Sequence, residues 1–271
     1  MGLDTDAVSL VVDDRGVATV TLRNEGMRNA ITGDVAAGLV EAFDALGPVG
    51  DDDIEARCVV LRGEGGFSAG GDVNAMMELQ SGGWTLDEAV EHVIEVLGRA
   101  VRRVHECPLP TVAAVEGSAV GAGAALAIAC DLQVASEEAR VGFGFRRVGL
   151  AVDSGTSYLL PRLVGDNVAK ELVFTGELLD AERAVDLGVL NHAYPADEFE
   201  TRLDDLVDRI AAGPTVALRA SKRLLEQGHD TSLADAIANE AGAQAAVFET
   251  EDHAEGVESF FERRDPEFVG Q

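Results

Sequence analysis

Two glycine-rich stretches, GEGGFSAGGDV at 63–73 and GSAVGAGAA at 117–125, each follow a β-branched run and lead into residues with helical spacing. A strand, glycine turn and helix in that order restrict a chain to α/β architectures, because neighbouring parallel strands need crossover helices. The helix that opens after Gly121 carries no acid, base, lysine or serine at its start. Such a turn offers unpaired backbone N–H groups and the positive end of a helix dipole. The reactive side chain must come from elsewhere in the chain.

The order of elements follows from local pattern. VSLVV and GVATVTLR, separated by DDR, read as a hairpin. Thr32 or Asp34 caps a predicted helix through Leu46, and EARCVVLRGEG reads as a strand running into the first glycine loop. A helix at VNAMMELQ, a longer helix from about Leu86 to Val104, the strand TVAAVEG, the helix after Gly121 and the strand LQVAS complete an α/β core. Beyond about Ser154 strand signals fade and helical periodicity takes over. The expected division is a core over 1–200 with a helical region over 201–271, whose apolar face, including Phe248, Phe260 and Phe261, is buried against the core or a neighbouring subunit. No internal repeat is visible, and the glycine and aspartate clusters at 47–53 and 81–83 read as loops.

Composition narrows the partners. With 49 acidic against 21 basic residues the formal charge is −28, a field that repels nucleic acid and anionic membrane alike. Spread along the whole chain, that excess fits the solvated surface of a protein from a high-salt cytoplasm. Cys58, Cys107 and Cys130 are odd in number and widely spaced, which points to a reducing compartment and away from a disulfide framework. No signal segment is expected, and no apolar run approaches the ~20 residues of a membrane span. The expectation is a soluble cytoplasmic protein.

Familiar sites fail on their spacing. In the second glycine loop Gly121 and Gly123 are followed by Leu126 where a dinucleotide fingerprint needs its third glycine, and no phosphate-loop lysine is present. Neither Ser118 nor Ser154 lies in a nucleophile elbow. His92, His105, His192, His229 and His253 have no evident partners and read as surface or packing residues. ETEDHAEGVE reads as a charged, solvated helix face, and no metal site is expected. What remains is that both glycine loops join strand to helix, so their N–H groups can converge where open α/β sheets bind ligands. Two convergent donors make an oxyanion hole. The alternative is that both are tight turns serving helix packing alone.

Taken together and in order, NEGMRNAIT, FSAGGDV, AAVEGSAVGAGAALAIACDLQVAS, GLAVDSGTSYLLPRLVG, AERAVDLGVLN and EDHAEGVESFFERRDPEF resemble the crotonase, or enoyl-CoA hydratase/isomerase, superfamily over nearly the whole chain. The resemblance implies a core of repeated β-β-α turns with a C-terminal helical region used for trimerisation. It implies an acyl-CoA thioester substrate, no cofactor beyond that coenzyme A, and assembly as a homotrimer or a dimer of trimers. The oxyanion donors implied are the N–H groups of Gly71 and Ala122, with Arg28, Ala30, Ala69, Gly71, Asp72 and Val73 at positions that meet the coenzyme. Arg28 could equally be a solvated arginine.

The acid–base residues depart from the hydratase pattern. Ala125 stands where that pattern has one glutamate and Phe145 where it has the other. Asp153 falls where isomerases of the epoxyphenylacetyl-CoA type, and a dehalogenase type, carry an aspartate. A turn or cap residue is the alternative for Asp153. One carboxylate suffices to move a proton between two carbons, whereas adding water usually employs two acid–base groups. The expectation is an enoyl-CoA isomerase, ahead of a hydratase and ahead of a thioester-binding protein without chemistry. Glu137 and Glu138 are the next acids to consider. Residues 76–100, with a flap suggested at Gly82, Gly83 and Trp84, are expected to line the acyl pocket.

Overall fold

Alternation along VATVTL (β3, Val17–Leu22) and VSLVV (β2, Val8–Val12) puts one face of an antiparallel hairpin into the core, with Val8 paired to Leu22 and Val12 to Ala18. The computed structural model describes residues 2–47 and 56–271. The glycine–aspartate cluster therefore lies outside the described residues from position 48 onward. β1 (Gly2–Asp4) extends the hairpin at its edge. β4 (Cys58–Gly63), β5 (Thr111–Val115), β7 (Leu132–Ser136) and β10 (His192–Tyr194) then add in parallel, giving one sheet ordered β1-β2-β3-β4-β5-β7-β10. β5 is buried throughout, as a parallel strand covered on both faces must be.

The strands β6 (Ser118–Val120), β8 (Arg140–Gly142) and β9 (Leu178–Asp180) form a second, smaller sheet. The isolated pairings Ile31 with Gly71 and Ser68 with Ala119 carry that sheet's line across the first glycine loop. After β4 and again after β5 the chain thus makes a short second strand before its helix: β4, residues 67–71 and α2 (Val73–Ser81), then β5, β6 and α5 (Ala122–Ile128). This is the repeated β-β-α core. The repeat lies in backbone topology, which is why no sequence period reveals it.

Helices cover both faces of the large sheet. In α1 (Gly33–Ala45), Thr32 accepts the Val35 N–H as N-cap, and Val35, Ala36, Leu39, Ala42 and Phe43 form the buried stripe. On the opposite face, Phe199, Leu203, Val207 and Ala211 of α9 (Phe199–Ala211) recur every fourth residue and pack on Val17, Val60, Val112 and Val134. This helix, straddling the expected boundary at 200/201, covers the sheet. Beyond it come α10 (Thr215–Gly228), α11 (Leu233–Val247) and α12 (Glu251–Glu262). Lys222 ties α10 to the core by donating to Leu109 O at 3.1 Å and Asp131 Oδ2 at 2.8 Å.

Several expectations are corrected here. Strands continue past Ser154 as β9 and β10, each of three residues and too short for alternation to show. The run from Leu86 to His105 is helical but not uniform, because α3 (Leu86–Glu91) and α4 (Arg99–His105) flank a π-helical stretch over His92–Gly98. ETEDHAEGVE is not simply a solvated face. Asp252 is 2% exposed and accepts the Val269 and Gly270 N–H groups at 2.7 and 3.0 Å. Phe248, Phe260 and Phe261 do not pack on the chain's own core, being 60%, 79% and 78% exposed. No described helix is long and apolar enough to cross a membrane.

Candidate active site

The two glycine loops lie side by side because backbone hydrogen bonds stitch them together. Ser68 N–H donates to Ser118 O at 2.8 Å and Val120 N–H returns a bond to Ser68 O at 3.1 Å. From the other flank, Ile31 N–H donates to Gly70 O at 2.7 Å and Ala69 N–H to Arg28 O at 2.9 Å. Glycine is required at two of the contacts. A Cβ on Gly70 would lie 2.6 Å from Val120 O, and one on Gly123 would lie 2.6 Å from Ser68 O. Close approach of the loops is therefore what these glycines serve.

That approach brings the Gly70–Gly71 turn beside the start of α5, since the Cβ position of Gly70 is 3.7 Å from Ala122 N. Among the described residues neither the Gly71 nor the Ala122 N–H has a hydrogen-bond acceptor. Ala122 is the first residue of its helix, so its N–H has no partner within the helix. Met76 closes this side, with its Cε 3.8 Å from the Gly71 Cβ position. Two adjacent free donors at a helix start can hold an oxygen on which negative charge develops.

The residues of the first loop are held by one the sequence reading passed over. Asn29 is 1% exposed, has φ +54°, and donates from Nδ2 to Glu64 O at 2.9 Å and Gly66 O at 2.6 Å. Its Oδ1 accepts the Asn24 N–H at 2.8 Å. The signal was present in NEGMRNAIT, but an asparagine that organises backbone is indistinguishable in sequence from one in a turn. Around it, Arg28 presents an exposed side chain from a left-handed residue, Ala30 is buried, and Ala69 and Val73 are exposed. Asp72 is committed to its own helix as N-cap of α2, accepting the Asn74 N–H at 2.8 Å. Arg28, Ala30, Ala69, Gly71, Asp72 and Val73 thus flank one edge of the loop pair.

Asp153 stands in the turn before α6 (Thr156–Val164), a helix that packs against α5. Its side chain does not cap that helix. Gly155 occupies the N-cap without a side-chain bond, and the Asp153 carboxylate accepts instead from Ser154 Oγ at 2.8 Å. Burial pushes the Asp153 carboxyl above its usual range, opposed by the Ser154 hydrogen bond and the charge of His92. The turn is strained, with Ser154 at φ +50°. Thr156 next to it has a buried hydroxyl with no partner among the described residues. The two positions that lack glutamate are apolar and buried, Ala125 at 0% and Phe145 at 7% exposure.

His92 does have a partner, contrary to the sequence expectation: the Trp84 ring at 5.0 Å. His105, His192 and His253 pack against Tyr158, Tyr194 and Phe248. Arg146 and Arg147 donate to the carbonyls of Thr175 and Gly176, tying down the end of α7 (Asp166–Thr175). Glu137 and Glu138 line a separate cavity of about 820 Å³ with Arg140, Asp180 and Glu182, which includes neither glycine loop nor Asp153. All three cysteines are buried and unpaired, and burial pushes the Cys58 thiol up to about 12.

A family model described as Enoyl-CoA hydratase/isomerase matches residues 13–271. The chain belongs to the enoyl-CoA hydratase/isomerase family. A Thermus thermophilus protein provisionally named enoyl-CoA hydratase is 38% identical over 95% of this chain and 99% of its own. An enoyl-CoA isomerase/hydratase of Mycosarcoma maydis is 30% identical over 94% and 93%. Among solved structures, an enoyl-CoA hydratase of Mycobacterium smegmatis superposes with a TM-score of 0.88 at 30% identity, covering 97% of this chain and 99% of that one. Membership makes this an acyl-CoA enzyme.

Proposed function

We propose that this enzyme is an enoyl-CoA isomerase in which Asp153 shuttles the proton. The thioester carbonyl oxygen of a 3-enoyl-CoA accepts from the Gly71 and Ala122 N–H groups. Asp153 removes a proton from C2, and the electron pair left behind delocalises onto that oxygen as an enolate. The carbanion character reaches C4, where Asp153 returns the proton, so the double bond moves from C3–C4 to C2–C3. Fixed donors favour the enolate over the uncharged ground state, which is how they accelerate the step. Coenzyme A lies along Arg28, Ala30, Ala69, Asp72 and Val73, and no other cofactor is needed.

The observation that carries this reading is a desolvated carboxylate, with its proton affinity raised, that caps no helix. The apolar residues Ala125 and Phe145 leave the hydratase pattern without its pair of acids. Hydration is the second reading, favoured by the names of relatives.

Incubation with crotonyl-CoA and with a 3-enoyl-CoA separates the readings. Isomerisation of the 3-enoyl substrate, with hydration of crotonyl-CoA slower by orders of magnitude, is expected. Dominant hydration would establish the second reading, and binding without turnover of either would exclude both. Asp153→Asn is expected to lower turnover by about 10²–10⁴-fold while thioester binding persists. Full turnover in the folded variant would remove Asp153 from the mechanism.

A further inference from the structure

We propose that Arg62 is a positioning residue for the oxyanion hole: its ion pairs with Glu116 and Glu200 fix the separation of the two glycine loops, and with it that of the Gly71 and Ala122 N–H groups. The inference rests on the reading of those two groups as donors to the thioester oxygen.

The large sheet opens where the loops begin. The ladder between β4 and β5 runs from Val59 opposite Thr111 to Leu61 opposite Ala113 and ends there. Both strands continue, but with their outer neighbours. β4 stays on β3 as far as Gly63 opposite Leu22, and β5 stays on β7 as far as Val115 opposite Ala135. The two chains meet again at Phe67, whose N–H donates to Glu116 O at 2.8 Å. Over the residues between, the roots of the loops are tied by side chains.

Alternate residues of a strand share a face. Val60 on β4, and Val112 and Ala114 on β5, pack with α9, and Arg62 and Glu116 continue those two rows past the end of the ladder. Arg62 Nη2 lies 2.8 Å from Glu116 Oε2 and 2.5 Å from Glu200 Oε1, while Nη1 lies 3.2 Å from Glu200 Oε2. Glu200 belongs to the first turn of α9. One guanidinium thus joins the root of the first loop, the root of the second and the helix covering that face. Its planar fork fixes orientation as well as distance, which an ammonium does not. All three side chains keep contact with water, so the triad adds little to global stability. What it sets is geometry.

Both arms that end in the donors start from this anchor. On the first, Asn29 independently holds the Glu64 and Gly66 carbonyls, and a Cβ on Gly63 would collide with Gly66 O. Residues 63–66 therefore form a stiff turn that passes a displacement at Arg62 on toward Gly71 rather than absorbing it. On the second, Glu116 and Gly117 lead through β6 into α5, whose first residue is Ala122. Catalytic donors need placement to within about 0.5 Å by the residues behind them, and the Arg62 triad is placed to supply it.

The test joins kinetics to a spectroscopic readout of the hole. Butyryl-CoA labelled with carbon-13 at its carbonyl has no double bond to move or hydrate. It is bound to wild type, Arg62→Met, Arg62→Lys, Glu116→Gln and Glu200→Gln, and its carbonyl stretch is read by isotope-edited infrared spectroscopy. Two well-placed donors lower that frequency in wild type. Arg62→Met is expected to lose most of the lowering and about 10-fold to 10²-fold in kcat, with KM within a few-fold. The kcat is measured on whichever of a 3-enoyl-CoA and crotonyl-CoA wild type turns over faster. Arg62→Lys, which keeps the charge and loses the fork, falls between. Glu116→Gln, neutral and of the same size, moves both readouts the same way to a smaller degree, and decides the matter if Arg62→Met does not fold. If Arg62 only fastens α9 to the sheet, Arg62→Met and Glu200→Gln lower the melting temperature alike while carbonyl frequency and kcat stay at wild-type values. That result, or a folded Glu116→Gln with both readouts unmoved, would overturn the inference. An unshifted carbonyl in wild type would instead sink the oxyanion reading itself.

Discussion

At the scale of single residues, the role proposed for Asp153 comes with a cost to folding. Its carboxyl is raised above the ordinary value by burial, so the folded state binds that proton more tightly than the unfolded chain does. Stability is therefore lost as pH rises from the ordinary carboxylate range through the raised folded value. Asp153→Asn, which can still accept the Ser154 hydroxyl, is expected to melt higher than wild type at pH 7. The gap should close below about pH 4, where both side chains are neutral. Equal melting temperatures at pH 7 would contradict a desolvated carboxylate. Gly123 tests the proposed oxyanion hole. A methyl there meets Ser68 O at 2.6 Å and Ser68 Cβ at 2.8 Å, and Ser68 is anchored by donating from Oγ to Asn29 O at 2.7 Å. Gly123→Ala must therefore push the loop bearing Gly71 away from the helix bearing Ala122. Misplacement by ~1 Å can cost about 10²-fold in rate, and overpacking costs typically ~1–3 kcal/mol. Steady-state kinetics with a denaturation curve checks both. Unchanged kcat in the folded variant would mean that the loop spacing does not govern catalysis.

At the scale of elements, what the sequence shows depends on whether an element carries its own period. The hairpin of β2 and β3, the Thr32 cap of α1 and the two glycine loops were legible, because alternation, capping and strand-to-helix punctuation are local. β9 and β10 were not, since three residues hold no period and form by pairing with distant partners. The π-helical stretch after Glu91 was equally hidden, and with it the packing of the His92 ring on Trp84. The proposed oxyanion donors, Gly71 and Ala122, came from family resemblance joined to turn chemistry, while Asn29, which fastens the loop, needed coordinates. The C-terminal tail gives a further case. Asp252 on α12 holds the Val269 and Gly270 N–H groups, and Arg57 donates to the Gly213 and Phe268 carbonyls, so residues that read as a charged face clasp the chain end. Asp252→Ala leaves those N–H groups without their acceptor, and hydrogen bonds to charged groups contribute about 1.5–3 kcal/mol. Denaturant unfolding is expected to show a loss of that size, with faster carboxypeptidase trimming of the tail. Glu255 beside it is held down to about 2 by Arg264 and the Glu267 N–H. A lowered carboxyl stabilises above the ordinary range and loses that effect as pH falls, so trimming should also quicken between about pH 4 and pH 2.

At the scale of the molecule, two features of the surface oppose one another. The helical tail leaves Leu225, Leu233, Ile237, Phe248, Phe260 and Phe261 exposed by more than half of their area. Exposed apolar residues gathered on neighbouring elements mark an interface more often than free surface. We propose that they are covered by neighbouring copies in a trimer or a dimer of trimers. Against association stands a formal charge of −28 on every chain, repulsion that grows as copies meet. Salt decides between them. The screening length falls from about 10 Å at 0.1 M to about 3 Å at 1 M, which weakens repulsion between subunits. The same salt weakens surface pairs such as Arg62 with Glu200 and Arg15 with Asp208, but exposed pairs contribute only about 0–1 kcal/mol each. Unbalanced charge on such a scale outweighs a handful of them, so added salt should favour both folding and assembly. Light scattering in molar sodium chloride is expected to give a mass of three chains or six, with dissociation toward single chains on dilution into low salt and a melting temperature that falls in step. Replacing Phe260 and Phe261 by serine should give single chains at every salt concentration, because the apolar cover is lost while the charge is unchanged. A monomer in molar salt would leave the exposed phenylalanines unexplained by assembly, and a melting temperature indifferent to salt would show that the acidic surface does not govern stability.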